Sequence, residues 1–399
     1  MRRRTLLLAL PVSAVLAGCG VSSRAGSGAT SSASPAVTAA GAQETTSAGG
    51  FTVTDVVGRQ VTFDSQPTRV VMSESRQAYS LAFLNKTNPI DKVVAWGKDL
   101  QKAAPDFYEK LLEVAPAAAD IPTIGSFKAG DLTVESLISH QSDVVVLTLD
   151  SYNEGVQGGF ISKMEDHGLR YVVTDFRRDP VKNTEPSVKL LGEIMDCREA
   201  ASKFLDFYAK QVDPVVKTAQ TLTSRPTTFL WRGPGLNDPC STFSTANLGA
   251  VVTAAGGTNI ADDLLPGEEG VLTPEQVIAS NPQNIIATGG EWGKQKLKDT
   301  ASTSYVHLGY QADEASARAS LEQLQDQPGF DQLTAFADRR VYGVYHQFYD
   351  APYNFVAYMA FAKWQSPEAF ADLDPQSAWE EFHKSFMPWE AQGVFIVAI

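Results

Sequence analysis

Basic and aromatic side chains recur in the loops that follow predicted β-strands. They occur in Ser73–Gln77, Trp96–Asp99, Trp231–Gly235, Glu291–Trp292 and His346–Tyr349, and again in Gly125–Lys128 ahead of a predicted helix. Guanidinium and ammonium groups pair with anionic oxygens, while aromatic faces cover an organic framework. The residues predicted to contact a ligand of that kind are Arg76, Trp96, Lys98, Phe127, Lys128, Trp231, Arg232, Trp292, His346 and Tyr349.

The overall acidity of the chain makes these basic residues more informative. The formal net charge is −13, which argues against nucleic acid or anionic lipid as a bulk partner. An anionic ligand must therefore be met by local basic residues. Each of these could instead be a solvated surface residue, and Trp231 could belong to a core. Arg232 beside Trp231, and the segment 345–353, are the best-supported candidates.

A tyrosine-rich segment near the C-terminus has a second interpretation. Tyrosine, histidine and aspartate crowd together at Tyr342, Tyr345, His346, Tyr349, Asp350 and Tyr353. Phenolate, imidazole and carboxylate groups coordinate Fe(III), and His346 or Tyr349 could be an axial haem ligand. Alternating tyrosine and valine also describe an ordinary strand, so no direct metal ligand is assigned. Five histidines without a His-rich loop argue against a zinc or manganese carrier.

Strands that alternate with helices are expected to position these loops. Such alternation predicts parallel sheets covered on both faces, with ligands beyond the carboxyl ends of the strands. In a first lobe the predicted strands are Arg69–Ser73, Lys92–Trp96, Asp143–Leu149 and Tyr171–Asp175. In a second lobe they are Thr228–Trp231, Asn284–Thr288, Tyr305–Leu308 and Arg340–Tyr345. An antiparallel hairpin around Gly58 precedes the first lobe.

An internal repeat supports the division into two lobes. Leu132–Ile138 reappears as Leu272–Ile278, and Asp143–Thr148 as Gln283–Thr288, at a constant offset of 140 residues. In each copy a threonine caps a short helix that leads into a β-rich run. The sequence therefore predicts duplicated lobes.

A helical segment between the two copies is predicted to join the lobes. Apolar residues recur at helical spacing in 185–212, Asp196 and Glu199 fit a capping box, and Pro214 should kink or interrupt the helix. The predicted fold is α/β, with two Rossmann-like lobes of mainly parallel sheet joined by one long helix. The boundaries are 51–180 for the N-terminal lobe, 181–222 for the connection and 223–399 for the C-terminal lobe.

The N-terminal residues predict that the protein is located outside the cytoplasm. Three arginines precede the apolar run Leu6–Leu16, a secretory signal too short to span a bilayer. Leu16–Cys19 resembles a bacterial lipobox, so Cys19 is the predicted lipidation site after removal of residues 1–18. An ordinary signal peptide is the alternative. Residues 19–50 are rich in small and polar residues and predict a flexible tether. Cys197 and Cys240 could pair, but the sequence does not decide this.

Order and spacing of several segments together point to a known family. They are Val53–Asp55 with Gly58–Arg59, then Arg69–Val71, the helix–strand unit Glu135–Leu147, Ala255–Ala261 and Pro274–Val277. Residues 51–399 on this basis resemble the substrate-binding proteins of bacterial ABC importers for iron-siderophores, haem or cobalamin. The resemblance implies a bilobed receptor that captures a ferric siderophore in an interlobe cleft. Haem, cobalamin or bare Fe(III) is the alternative ligand.

The resemblance also implies partners. In that family a glutamate on each lobe docks onto arginines of the permease, and the matching positions are Glu135 and Glu275. Alternatively, each glutamate only stabilises the first turn of its helix. The expected protein is a monomer anchored to the cell membrane through Cys19, with an ABC permease as partner, no resident cofactor and no nucleic acid. No nucleophile elbow, HExxH motif or phosphate-binding glycine loop indicates an enzyme.

Overall fold

Two separate β-sheets organise the chain, one in each lobe. The computed structural model describes residues 50–292 and 305–399, and these belong to one compact unit. The predicted signal peptide, Cys19 and the tether up to residue 49 lie outside the described residues. Within those described ranges, no helix combines the length and apolar character needed to cross a bilayer.

The first lobe begins with an antiparallel hairpin and continues as a parallel sheet. β1 (Phe51–Thr54) pairs with β2 (Gln60–Phe63) around a turn in which Gly58 has a φ of 82°, as predicted. The sheet strands are β3 (Val70–Met72), β4 (Val93–Trp96), β5 (Val144–Thr148) and β6 (Tyr171–Thr174), in the order β4–β3–β5–β6. The helices of this lobe are α1 (Ala78–Leu84), α2 (Leu100–Ala103), α3 (Pro105–Val114), α4 (Val134–Ser139), α5 (Leu149–Gln157) and α6 (Phe160–Asp166).

Two helices carry the chain from the first sheet to the second. They are α7 (Pro180–Ile194) and the 22-residue α8 (Arg198–Ala219). The predicted cap at Asp196 is wrong, because Asp196 has a left-handed φ of 57° and the helix begins after Cys197. Its carboxylate pairs with Arg198 at 2.7 Å instead. Of the kink or interruption predicted at Pro214, the interruption does not occur, since α8 continues through this residue to Ala219.

The second lobe has a five-stranded sheet. Its strands are β7 (Thr227–Trp231), β9 (Thr258–Asn259), β11 (Asn284–Gly289), β12 (Val341–Tyr345) and β13 (Ile396–Ala398), in the order β13–β12–β11–β7–β9. Only β13 is antiparallel to its neighbour. A separate antiparallel pair consists of β8 (Ser241–Phe243) and β10 (Glu269–Val271). The helices are α9 (Asn247–Ala254), α10 (Ala261–Leu264), α11 (Pro274–Ser280), α12 (Glu314–Glu322), α13 (Thr334–Ala337), α14 (Phe355–Gln365) and α15 (Pro375–Phe386).

These elements confirm the predicted α/β class with mainly parallel sheets. The two repeat copies fold alike, because α4 leads into β5 and α11 leads into β11, each helix capped by its predicted threonine. Residues 305–308 do not form the predicted strand. The edge position beside β12 belongs to β13, a strand that was not predicted.

An aromatic core is shared by the two lobes. Tyr79 on α1 lies 6.2 Å from Tyr353 between ring centroids, and Phe107 on α3 lies 5.2 Å from Trp389. On α8, Phe204 is fully buried, and its ring centroid lies 4.2 Å from that of Phe83 in the first lobe, with the rings tilted by 30°. Because apolar side chains from both lobes exclude water together, relative movement of the lobes would expose this surface.

Hydrogen bonds reinforce the same interface at Asp106 on α3. Its carboxylate accepts hydrogen bonds from the Tyr345 hydroxyl at 3.1 Å and the Tyr310 backbone N–H at 3.0 Å, both in the second lobe. Burial raises the pKa of Asp106 to about 6, although these donors act in the opposite direction. A titratable carboxyl group thus lies between the lobes.

The two cysteines of the described residues are free thiols. Cys197 is partly buried just before α8, and Cys240 is buried just before β8. Burial raises the pKa of the Cys240 thiol to about 12, so that this group stays protonated and unreactive near neutral pH. The pairing that the sequence left open is therefore absent from the structure.

Candidate functional site

A cleft of about 640 Å³ opens where the loops of the two lobes face each other. One wall comes from loops that follow β3, β4, β5 and β6. The other comes from residues after β7, around β8 and β10, and from the short 3₁₀ helix His346–Tyr349 after β12. Parallel sheets place these loops together because the carboxyl ends of their strands share one edge.

Two arginines and two carboxylates form the floor network, which we define as Glu74, Arg76, Arg177 and Asp350. Glu74 accepts hydrogen bonds from Arg76 at 2.9 Å and Arg177 at 2.8 Å. Asp350 of the second lobe also receives both guanidinium groups, at 2.8 and 2.7 Å. These four side chains are largely buried, so the network couples the two lobes beneath the cleft.

Burial and charge act in opposite directions on the acids of this network. Burial alone would raise the pKa of Glu74, but Arg177 and Arg76 lower it to about 2. Burial raises the pKa of Asp350 against the same two arginines, with the Glu74 charge adding to the effect. Glu74 is thus the carboxylate that holds its negative charge most firmly.

Further ion pairs run from the floor to the rim. Asp99 accepts a hydrogen bond from Arg76 at 2.6 Å, and Asp150 accepts one from Arg177 at 2.7 Å. Arg178 pairs with Asp150 and, across to the second lobe, with Glu268 at 2.9 Å. These contacts fix the loop after β6 against both walls.

The second wall carries its own charged pair and an aromatic surface. Arg232, directly after β7, pairs with Glu269 at 2.8 Å and lies over the Phe243 ring at 4.5 Å. Phe243 stacks on Tyr349 with centroids 6.4 Å apart. The Tyr349 hydroxyl accepts a hydrogen bond from Arg76. A ligand in the cleft therefore meets apolar faces beside paired charges.

The structure brings together some of the residues that the sequence nominated as ligand contacts. Of the nominated side chains, those that line the cleft are Arg76, Lys98, Phe127, Lys128, Arg232 and Tyr349. Lys98 pairs with Asp131 at 2.9 Å near the solvent, and Lys128 is exposed. For these six residues, contact with a ligand stays a prediction.

The other nominated residues lie behind the wall. Trp96 and Trp231 are buried in the two sheets. Trp292 is buried and its indole N–H donates to the Ala103 carbonyl at 3.4 Å. His346 is buried against Trp292, its Nδ1 2.8 Å from the Thr288 hydroxyl. The structure therefore places these four side chains in the core beside the cleft and not on its surface.

Metal coordination was the alternative role for His346 and Tyr349. Burial, with Arg232 and Arg76 nearby, holds the pKa of His346 well below its usual value, so the ring is neutral. Their rings are 4.5 Å apart. Within residues 50–292 and 305–399, no cluster of three or more His, Cys, Asp or Glu side chains has the arrangement of a metal site.

Sequence reasoning missed several residues of the cleft. Arg177 and Arg178 follow β6 and obey the same strand-end rule that nominated the others, so that signal was present. Glu74 and Asp350 lie within segments that the sequence singled out, but no local pattern shows that they neutralise arginines from distant strands. Asn247, whose side-chain amide donates to the carbonyls of Arg177 and Tyr349, carried no pattern at all.

Two exposed glutamates occupy equivalent places outside the cleft. Glu135 and Glu275 lie in the first turns of α4 and α11 and both are exposed. The capping threonines accept backbone hydrogen bonds at 3.1 Å for Thr133 and 3.2 Å for Thr273. Both glutamates thus present carboxylates to solvent from similar helices, one on each lobe.

Comparison with known proteins gives a consistent family and fold. A model of the family described as periplasmic binding protein matches residues 85–347. The TroA-like periplasmic binding protein FepB from Veillonella parvula has 24% sequence identity and a TM-score of 0.78, with 87% of this chain and 99% of that chain covered. A periplasmic heme binding protein from Pseudomonas aeruginosa has 17% identity and a TM-score of 0.50, over 76% of this chain and 94% of that one.

Curated relatives are also similar in sequence. A curated cobalamin-binding protein from Halobacterium salinarum is 24% identical over 240 residues, which are 59% of this chain and 57% of the relative. The chain thus matches little more than half of that relative's length. At these identities the solved structures establish a shared fold.

Proposed function

The chain belongs to the periplasmic binding protein family, and we propose that it captures a ferric siderophore outside the cytoplasm and delivers it to an ABC permease. The observation that carries this proposal is the interlobe cleft of about 640 Å³, lined by arginines and aromatic rings from both lobes. Its size falls within the range of pockets that enclose an organic ligand.

The exposed glutamates support the permease as partner. Carboxylates on two rigid lobes can form charge-assisted pairs with arginines of a membrane subunit, which gives orientation as well as affinity. Glu135 and Glu275 have this placement on α4 and α11. We expect the shared aromatic core to hold their separation nearly constant, so that one docking geometry would serve the free and the loaded protein.

The N-terminal sequence supports the location. A signal pattern followed by the lipobox-like Leu16–Cys19 and a tether rich in serine and alanine would hold the folded body at the outer face of the membrane. We propose a monomeric lipoprotein anchored through Cys19, with the iron chelate as cargo and no resident cofactor.

A fluorescence titration tests the ligand. Trp231 is buried directly before Arg232, which lies on the cleft wall, so a ferric chelate bound in the cleft should quench the emission of Trp231. The purified protein would be titrated with ferric siderophores, haemin and cyanocobalamin. Saturable quenching by a ferric siderophore supports the proposal, whereas binding of only haemin or cyanocobalamin contradicts it.

A second experiment tests the docking role. The variant Glu135→Ala/Glu275→Ala should retain ligand affinity, because both residues lie outside the cleft, yet lose permease-dependent uptake. The matched control Glu113→Ala/Glu322→Ala removes two exposed glutamates, one on each lobe, at positions outside the repeat. Uptake equal in both variants would remove the docking role.

Cobalamin is the second candidate ligand. The sequence similarity to the cobalamin-binding protein from Halobacterium salinarum supports this alternative. The same titration separates the two candidates, since cyanocobalamin is one of its arms.

A further inference from the structure

The charges of the cleft cancel. Its lining contains seven carboxylates and seven basic side chains among the described residues, and the carboxyl group of Asp350 lies just beneath. The strand-end arginines had predicted a site for an anion. With an equal number of acids around them, the cleft as a whole offers no excess of positive charge.

Each arginine of the cleft lining also forms its own ion pairs with carboxylates of the protein. Arg76 contacts the carboxylates of Glu74, Asp99 and Asp350. Arg177 contacts Glu74, Asp150 and Asp350. On the walls, Arg178 and Arg232 reach Glu268 and Glu269 at 2.9 and 2.8 Å. Each guanidinium group therefore has an internal counter-ion already.

A multiply charged anion would have to displace these counter-ions. Glu74 and Asp350 are buried, so removing their arginine partners would leave carboxylates without compensation in a poorly solvated place. Glu268 and Glu269 are half exposed at the rim, where they would repel an approaching anion. Both effects oppose a ligand with a large negative charge.

We propose that the cargo is a ferric chelate without net negative charge, of the tris-hydroxamate class; this inference rests on the proposed function. Three singly charged hydroxamates neutralise Fe(III), whereas three doubly charged catecholates leave a trianion. The Tyr349 hydroxyl accepts a hydrogen bond from Arg76, and a hydroxyl group that accepts one hydrogen bond can also donate one to a chelate oxygen. The Phe127 and Phe243 rings in the lining offer apolar faces for the organic backbone of such a chelate.

The test compares chelates that differ in charge. The protein would be titrated, by quenching of its tryptophan fluorescence, with ferrioxamine E as the neutral tris-hydroxamate and ferric enterobactin as the trianionic tris-catecholate. Ferrioxamine E should bind at least ten times more tightly. In Glu268→Gln/Glu269→Gln the ratio of the two affinities should shift at least threefold towards the trianion, because two rim charges are lost. The control Glu322→Gln/Asp331→Asn removes two exposed charges from the same lobe and should leave the ratio unchanged.

The outcomes separate the two proposals. Tighter binding of ferric enterobactin, or an affinity ratio that the rim variant does not move, overturns the hydroxamate inference while siderophore capture stands. Failure of every ferric chelate to bind overturns siderophore capture, and the inference falls with it. Circular dichroism of both variants confirms that the folded protein is being compared.

Discussion

At the scale of single residues, the cleft depends on side chains that neutralise one another. Arg76 and Arg232 were nominated correctly as cleft residues because they follow strands. Their partners Glu74, Asp350 and Glu269 could not be assigned, because an ion pair between distant strands leaves no local pattern. The sequence therefore predicted positive charges at the strand ends, but not their compensation.

Asp350 gives the first prediction. Asp350→Ala would leave Arg76 and Arg177 with only part of their compensation in a buried place, so we expect a loss of about 3 kcal/mol in the free energy of unfolding. Urea denaturation measures it. Asp64→Ala removes an exposed ion pair with Arg170 and should cost far less. Equal losses in the two variants would mean that the floor network does not stabilise the fold.

Asp106 gives a prediction about pH. Its pKa is about 6 in the folded protein and about 4 in an unfolded chain, so the folded state binds the extra proton between these values. Its contribution to stability is therefore present below pH about 4 and is lost as the pH rises through about 6, a change of roughly 3 kcal/mol.

The measurement compares two pH profiles. Asp106→Asn cannot titrate, so the free energy of unfolding of this variant should lack the decline between pH 4 and about 6 that the parent shows. Only the difference between the profiles matters, since other carboxyl groups titrate in both proteins. Parallel profiles would show that Asp106 does not titrate with a raised pKa.

At the scale of elements, periodicity located most helices and strands, while their ends needed tertiary information. The repeat correctly predicted α4 and α11 with their threonine caps, because capping is a local interaction. The start of α8 was misplaced, because the chain turns through a left-handed Asp196 before the helix begins. β13 pairs only with β12, across more than 50 residues of chain, so nothing nearby indicated it.

Phe204 tests what α8 contributes. Its ring is fully buried between Phe83 of the first lobe and Phe382 and Phe386 of the second, so Phe204→Ala should lower the free energy of unfolding by about 4 kcal/mol. Lys203→Ala on the exposed face of the same helix should leave the denaturation midpoint nearly unchanged. A small effect of Phe204→Ala would mean that α8 is not held by this core.

At the scale of the whole molecule, the sequence predicted two lobes and the structure adds how firmly they are joined. Strand and helix alternation indicated most of the strands, because the two sheets are parallel apart from β13. The interface between the lobes was not predictable, since Tyr79, Phe107, Tyr353 and Trp389 meet only after folding.

This interface predicts limited movement. Gln347 bridges the lobes by accepting from the Tyr79 hydroxyl at 2.9 Å and donating to the Ala103 carbonyl at 2.7 Å, beside the shared aromatic core. We expect ligand binding to close the cleft by only a few degrees. Small-angle scattering of the free and loaded protein should give nearly identical radii of gyration, and a large compaction would contradict this.

The balanced charges of the cleft also affect which small anions it can bind outside the cytoplasm. A surplus of free guanidinium groups in the cleft would bind phosphate, citrate and similar small anions. Arg76, Arg177, Arg178 and Arg232 each pair with a carboxylate of the protein. We therefore expect the unliganded cleft to stay free of such anions.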